Sequence, residues 1–147
     1  MVISAKCDIF ECSADVLVNP VNVVGVMGAG LAKQFRERFP DMYDDYRSRC
    51  ASGDFRIGLP YLFESENNRI LNFPTKRDWR DKSNEGIIRV GLENFLFYYK
   101  AWGVESIAFP LLGAGLGGLS KTTSIMLLHE YLSQADDLVS YIVSPLE

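Results

Sequence analysis

Apolar positions along this chain alternate between the period of a strand and the period of a helix. Met1 to Lys6 and Val16 to Asn19 read as short strands, the second a continuous apolar run of the kind covered on both faces of a sheet. Leu31, Phe35 and Phe39 recur at four-residue steps and predict a helix with one apolar stripe, ended by Pro40. A second short helix is predicted over Asp41 to Ala51, stopping at Ser52-Gly53. Tyr61 to Phe63 and Arg69 to Phe73 read as two strands joined by the polar stretch Glu64 to Asn68. Ile88, Leu92, Phe95, Leu96, Tyr99 and Trp102 then share one face of a long helix closed by Gly103. Ser106 to Pro110 is a further strand, Ser120 caps a helix that buries Ile125, Leu128 and Leu132, and Leu138 to Val143 is the last strand. This alternation predicts an α/β layered domain with helices on both faces of a mixed sheet.

In such folds ligands bind at the carboxyl ends of strands, where loops feed helix N-termini. Two loops here are glycine-rich and run from strand to helix: Pro20 to Gly30, and Leu111 to Leu119. Glycine lets backbone N–H groups approach an anion closely, and the helix dipole adds partial positive charge, so both loops suit phosphate and the pair suits a diphosphate. The segment Gly113 to Gly118 formally spells GxGxxG, but it lies too near the end of the chain for the rest of a dinucleotide fold. A P-loop fails because two residues separate Lys121 from Gly118.

Composition narrows the classes. A length of 147 residues with 48% apolar content predicts one domain with one well-buried core. No apolar stretch reaches the roughly 18 residues needed to cross a bilayer, and no basic-then-apolar leader opens the chain, so no membrane association is expected. Cys7, Cys12 and Cys50 are odd in number and lack metal-ligand spacing, which argues against a disulfide framework and a zinc site and for the reducing cytoplasm. A net charge of −4 argues against broad, sequence-blind duplex binding. Locally the balance reverses: Lys76, Arg77, Arg80 and Lys82 outnumber Asp78 and Asp81 around Trp79. A tryptophan among cations suits base stacking on single-stranded nucleic acid, or alternatively a lid folded back on the domain.

These residues resemble a macro domain. Asp8-Ile9 after the first strand, Asn19-Pro20-Val21-Asn22 with its glycine loop, and Phe109-Pro110 through Gly118 are similar to that family's ADP-ribose-binding stretches, and Asn72 to Arg80 resembles a segment of its DarG branch. The resemblance covers essentially residues 1–147 and implies a three-layer α/β/α domain around a mixed, largely parallel sheet. It implies that Asp8 and Ile9 receive the adenine. Asn22, Gly28, Ala29, Gly30 and Leu31 would then approach the distal ribose and diphosphate, while Pro110, Leu112, Gly113, Ala114, Gly115, Leu116 and Gly117 wrap the phosphates from the other side.

For activity, the resemblance implies an antitoxin-like hydrolase that removes ADP-ribose from thymidine in DNA, with Lys76 as the catalytic candidate and no metal or redox cofactor. The expected partners are ADP-ribose, ADP-ribosylated DNA in single-stranded form and a cognate ADP-ribosyltransferase toxin. Arg77, Trp79 and Arg80 are the expected nucleic-acid contacts. Three alternatives stay open: a module that only binds ADP-ribose, a hydrolase of glutamate-linked protein ADP-ribose, and hydrolysis of ADP-ribose phosphate esters or free metabolites in the same cleft. The acceptor is left open by departures in the second loop, where Gly117 replaces the aspartate of the related protein glycohydrolase, and Ala114 and Leu116 replace a cysteine and an asparagine.

Lysine suits this bond. Cleavage at an anomeric carbon passes through an oxocarbenium-like state, usually served by two carboxylates. The acids available, Asp44, Asp45, Asp78, Asp81 and Glu85, lie outside the glycine loops. A lysine can polarise the leaving group, or attack the anomeric carbon if its pKa is lowered. Arg77 and Arg80 push toward that lowering, and Asp78 and Asp81 oppose it.

Overall fold

A computed structural model describes residues 1–146. Six strands form one sheet: β1 (Val2–Lys6), β2 (Val16–Asn22), β3 (Tyr61–Glu64), β4 (Arg69–Lys76), β5 (Ser106–Pro110) and β6 (Val139–Ser144), in the order β1-β6-β5-β2-β4-β3. Every neighbouring pair is parallel except β3 and β4, whose tight connection makes them antiparallel. Four helices connect them: α1 (Gly30–Arg38), α2 (Pro40–Ser52), α3 (Glu85–Tyr98) and α4 (Lys121–Leu132). Among the described residues no helix is long and apolar enough to cross a membrane.

Strand alternation sorts the side chains into two cores. Val16 and Val18 of β2, Leu71 and Phe73 of β4, and Ile107 and Phe109 of β5 meet Ile88, Leu92 and Phe95 of α3 and Leu128 and Leu132 of α4. On the opposite face Leu17, Val21 and Ile70 meet Phe35 of α1 and Met42 and Tyr46 of α2. Each such side chain contributes about 1.5–3 kcal/mol by leaving water. Edge-to-face rings at Phe73–Phe109 and Phe95–Phe109, with centroids 6.4 and 5.4 Å apart, lock the first core. Helices thus cover both faces, as the alternating pattern predicts.

Three boundaries differ from the expectations. β2 runs on through Pro20 to Asn22, because its ladder to β5 ends at Leu17↔Ala108 and that edge then has no donor to supply. β4 continues past Phe73 to Lys76, held by β2, where a bulge leaves Thr75 unpaired between Val21↔Pro74 and Asn22↔Lys76. Finally, α3 ends at Tyr98 before Trp102, and a tightened turn closes on Gly103 at φ +67°.

Candidate functional site

The site follows from the sheet. β2 and β5 are neighbours, yet only Val16↔Ile107 and Leu17↔Ala108 pair. Beyond them the two strands part, and their loops leave to opposite faces, one into α1 and the other into α4. This is a topological switch point, and a cleft of about 1100 Å³ opens there. It exceeds the roughly 300–1,000 Å³ of most small-ligand sites, leaving room for a nucleotide and the group attached to it.

The first loop is built on Asn22. Its Oδ1 accepts from the backbone N–H of Val24 (3.1 Å) and Val26 (3.3 Å), and its Nδ2 donates to the Val26 carbonyl (2.7 Å). The Tyr46 hydroxyl of α2 lies 2.8 Å from Oδ1 and 2.9 Å from the Asn22 carbonyl, so one proton serves either. Burial pushes the Tyr46 phenol well above its ordinary range, which keeps it a donor. Asn22 lines the cleft and is also the scaffold of the loop that Gly28, Ala29 and Gly30 bring to the α1 N-terminus.

The second loop turns on glycines at φ +77° (Gly113), +63° (Gly115) and +85° (Gly118) around a single 3-10 turn, Gly115–Gly117. A Cβ at Gly113 would come within 2.6 Å of Leu119, so the bend also needs a missing side chain. Leu116 reaches across to the first loop, with its Cδ1 3.4 Å from where a Cβ on Gly30 would stand. The helices these loops feed, α1 and α4, carry no acidic residue in their first turns, whereas α2 and α3 begin with Asp41 and Glu85. The positive end of α1, which has no side-chain cap, is thus left for an external anion, whereas at α4 Ser120 already accepts from Thr123 N–H.

Of the residues singled out in the sequence, the cleft collects Asp8, Ile9, Leu31 and Pro110 along with the glycines and Ala114, Leu116 and Lys76. It excludes two. Leu112 is fully buried in the core, and Arg77 does not line the cleft. Instead the Arg77 carbonyl accepts from Val23 N–H at 3.2 Å and ties the charged segment to the first loop. Lys76 ends β4 directly beside Asn22, aligned by the bulge at Thr75. Asp8 caps a short 3-10 turn, Ile9–Glu11, with Oδ1 accepting from Phe10 N–H at 3.0 Å.

Trp79 is not folded into the core; it is 56% exposed at the cleft, with the Arg80 guanidinium 5.4 Å from its ring centre. Arg80 is not a free cation. Its Nε and Nη2 donate to Asp78 at 2.9 and 3.0 Å, and these bonds hold the Asp78 carboxyl at about 2. Of the acids considered for a two-carboxylate scheme, only Asp81 lines the cleft. Lys82, counted in the sequence only within the local charge balance, Lys121, weighed there only as a P-loop lysine, and Val143 and Pro145 at the end of β6 also line it. For Lys121 a signal existed: a cation at the first position of a helix opposes the dipole.

Comparisons with known proteins agree with this geometry. The macro domain family model matches residues 18–128. The DNA ADP-ribosyl glycohydrolase of Thermus aquaticus is 35% identical over 144 residues, covering 95% of this chain and 40% of that protein, so the chain spans well under half of that relative. The solved macrodomain of Mycobacterium tuberculosis DarG superposes with a TM-score of 0.94 at 33% identity, covering 97% of each chain. The structure of Thermosipho africanus DarTG in complex with ADP-ribose matches with a TM-score of 0.87 at 34% identity, over 92% of this chain and 39% of that one. With its sheet order, its paired glycine loops and these likenesses in accord, the chain belongs to the macro domain family and is similar to DarG macrodomains over nearly its whole length.

Proposed function

We propose that this macro domain binds ADP-ribose in its cleft and hydrolyses the bond joining it to a base of single-stranded DNA. The observation that carries the reading is the position of Lys76, at the end of β4, in register with Asn22 and lining the cleft that both glycine loops enclose. The adenine end belongs at Asp8, whose Oδ2 is left to accept from the amine, and the diphosphate lies between the two loops at the uncapped N-terminus of α1. The distal ribose then reaches Lys76.

During hydrolysis the C1″–N bond breaks, water supplies the new oxygen at C1″, and the base nitrogen takes a proton. Lys76 as an ammonium stabilises the charge that develops on the leaving base; as an amine it attacks C1″ itself and is released by water. Trp79 offers its exposed face to a base of the strand. Thymidine-linked ADP-ribose arises only through an ADP-ribosyltransferase, so such an enzyme, a toxin in this reading, is the natural supplier of substrate. No metal or redox cofactor enters the step.

Incubation with ADP-ribosylated single-stranded DNA should release free ADP-ribose, and Lys76→Ala should lower the rate at least about a hundredfold while retaining ADP-ribose affinity. Binding without release would make the protein a reader of ADP-ribose. Preferential release from a glutamate-linked ADP-ribosyl protein would reassign the acceptor. Borohydride added during turnover separates the two roles of Lys76, since only the amine route leaves a reducible lysine adduct.

A further inference from the structure

Lys82 and Lys121 line the cleft, and among the described residues neither forms an ion pair. The two side chains arise beside the same backbone. Ser83 N–H donates to the Gly117 carbonyl at 2.8 Å, which pins the segment before α3 to the second glycine loop. The stem of Lys82 then passes over Gly118: a Cβ there would stand 3.0 Å from Lys82 Cδ and 3.7 Å from Cε. Lys121 follows Gly118 closely, as the first residue of α4. Both side chains are exposed.

This placement opposes helix stability. A cation at a helix N-terminus faces the positive end of the dipole, and no carboxylate offsets it here. Four cations, Lys76, Arg80, Lys82 and Lys121, line the cleft against two acids, Asp8 and Asp81, on a chain of net charge −4. The positive field is therefore local. Arg80 is already held by Asp78 and Lys76 is assigned to the reaction, which leaves Lys82, three residues from the exposed Trp79, and Lys121 as the further unpaired cations lining the cleft.

We propose that Lys82 and Lys121 hold backbone phosphates of the single strand that carries the ADP-ribose, so that the strand crosses the second glycine loop at Gly118 with a neighbouring base on Trp79. This rests on the hydrolase reading and adds to it a preference for an oligonucleotide over an isolated modified nucleoside. A phosphodiester chain fits because its charges repeat from nucleotide to nucleotide, so that more than one phosphate can meet the two cations beside Gly118.

The test compares wild type with the Lys82→Gln/Lys121→Gln double variant on an ADP-ribosylated oligonucleotide of about 12 nucleotides and on ADP-ribosylated thymidine. Losing two phosphate contacts should flatten the slope of log KM against log salt by about 1.4, about 0.7 per contact on a single strand. At about 0.15 M salt the same slope lowers the ratio of kcat/KM, oligonucleotide over nucleoside, about tenfold. An unchanged ratio and slope, or equal losses on both substrates, would overturn the proposal. Failure of wild type to release ADP-ribose from either substrate would instead sink the hydrolase reading. In that event anisotropy with an unmodified oligothymidylate decides the role of the two lysines by itself: affinity about tenfold weaker in the double variant supports it, and equal affinity overturns it.

Discussion

Asn22 shows how one side chain sets a loop. Replacing it with Ala removes the side-chain partners of the Val24 and Val26 N–H groups and of the Val26 carbonyl, all part-buried, and leaves the Tyr46 hydroxyl only the backbone carbonyl at position 22. Each buried group left unpaired costs about 1–3 kcal/mol, so Asn22→Ala should lower the denaturation midpoint markedly and weaken ADP-ribose binding. Tyr46→Phe should cost about 1 kcal/mol, and the double variant should show a coupling of about 0.5–3 kcal/mol by denaturant titration. Additive losses would refute the shared network. Behind the same loop, burial pushes the Cys50 thiol up to about 11. The neutral thiol is the form the fold favours, so its stabilising effect is intact below about 9 and lost as pH rises through about 11. Alkylation of Cys50 should be slow at neutral pH with a midpoint near 11; a midpoint near 9 would contradict its partly buried placement. The glycines of the two loops were legible in the sequence because their chemistry is local. The bond from Tyr46 to Asn22 spans 24 residues and an intervening helix, and no spacing rule reveals it.

At the scale of elements, the sequence pattern located the six strands and four α-helices, and the strand ends it misjudged are those set by neighbours. β2 and β4 extend each other past the point where their own residues cease to look like strand, through Pro20 and through Pro74 to Lys76. That extension delivers Lys76 to the cleft, although the sequence alone ended the strand at Phe73. Helix α3 carries a glycine at position 91 that propensity disfavours by about 1 kcal/mol relative to Ala. Packing overrides propensity there, since a Cβ on Gly91 would come within 2.4 Å of the Phe73 ring, which is wholly buried and has no room to retreat. Gly91→Ala should therefore destabilise by about 1–3 kcal/mol in spite of better helix propensity, and a smaller partner at Phe73 should recover part of the loss. A thermal midpoint raised by Gly91→Ala alone would refute the contact.

At the scale of the whole molecule, two apolar cores lie on either side of one sheet, and the strands that join them are the same strands that diverge at the cleft. The fold class was readable from the alternation of elements, but the strand order was not, because it depends on which crossover passes over which face. Two paired positions hold β2 to β5, so no backbone ladder spans the furrow beyond them. A guest lodged in it is gripped from both banks and acts as a splint. Deuterium uptake at residues 21–23 and 111–115 should slow when ADP-ribose is added, while the outer strands β1 and β3 keep their free-state rates, so that occupancy would be read as rigidity gained along a single seam.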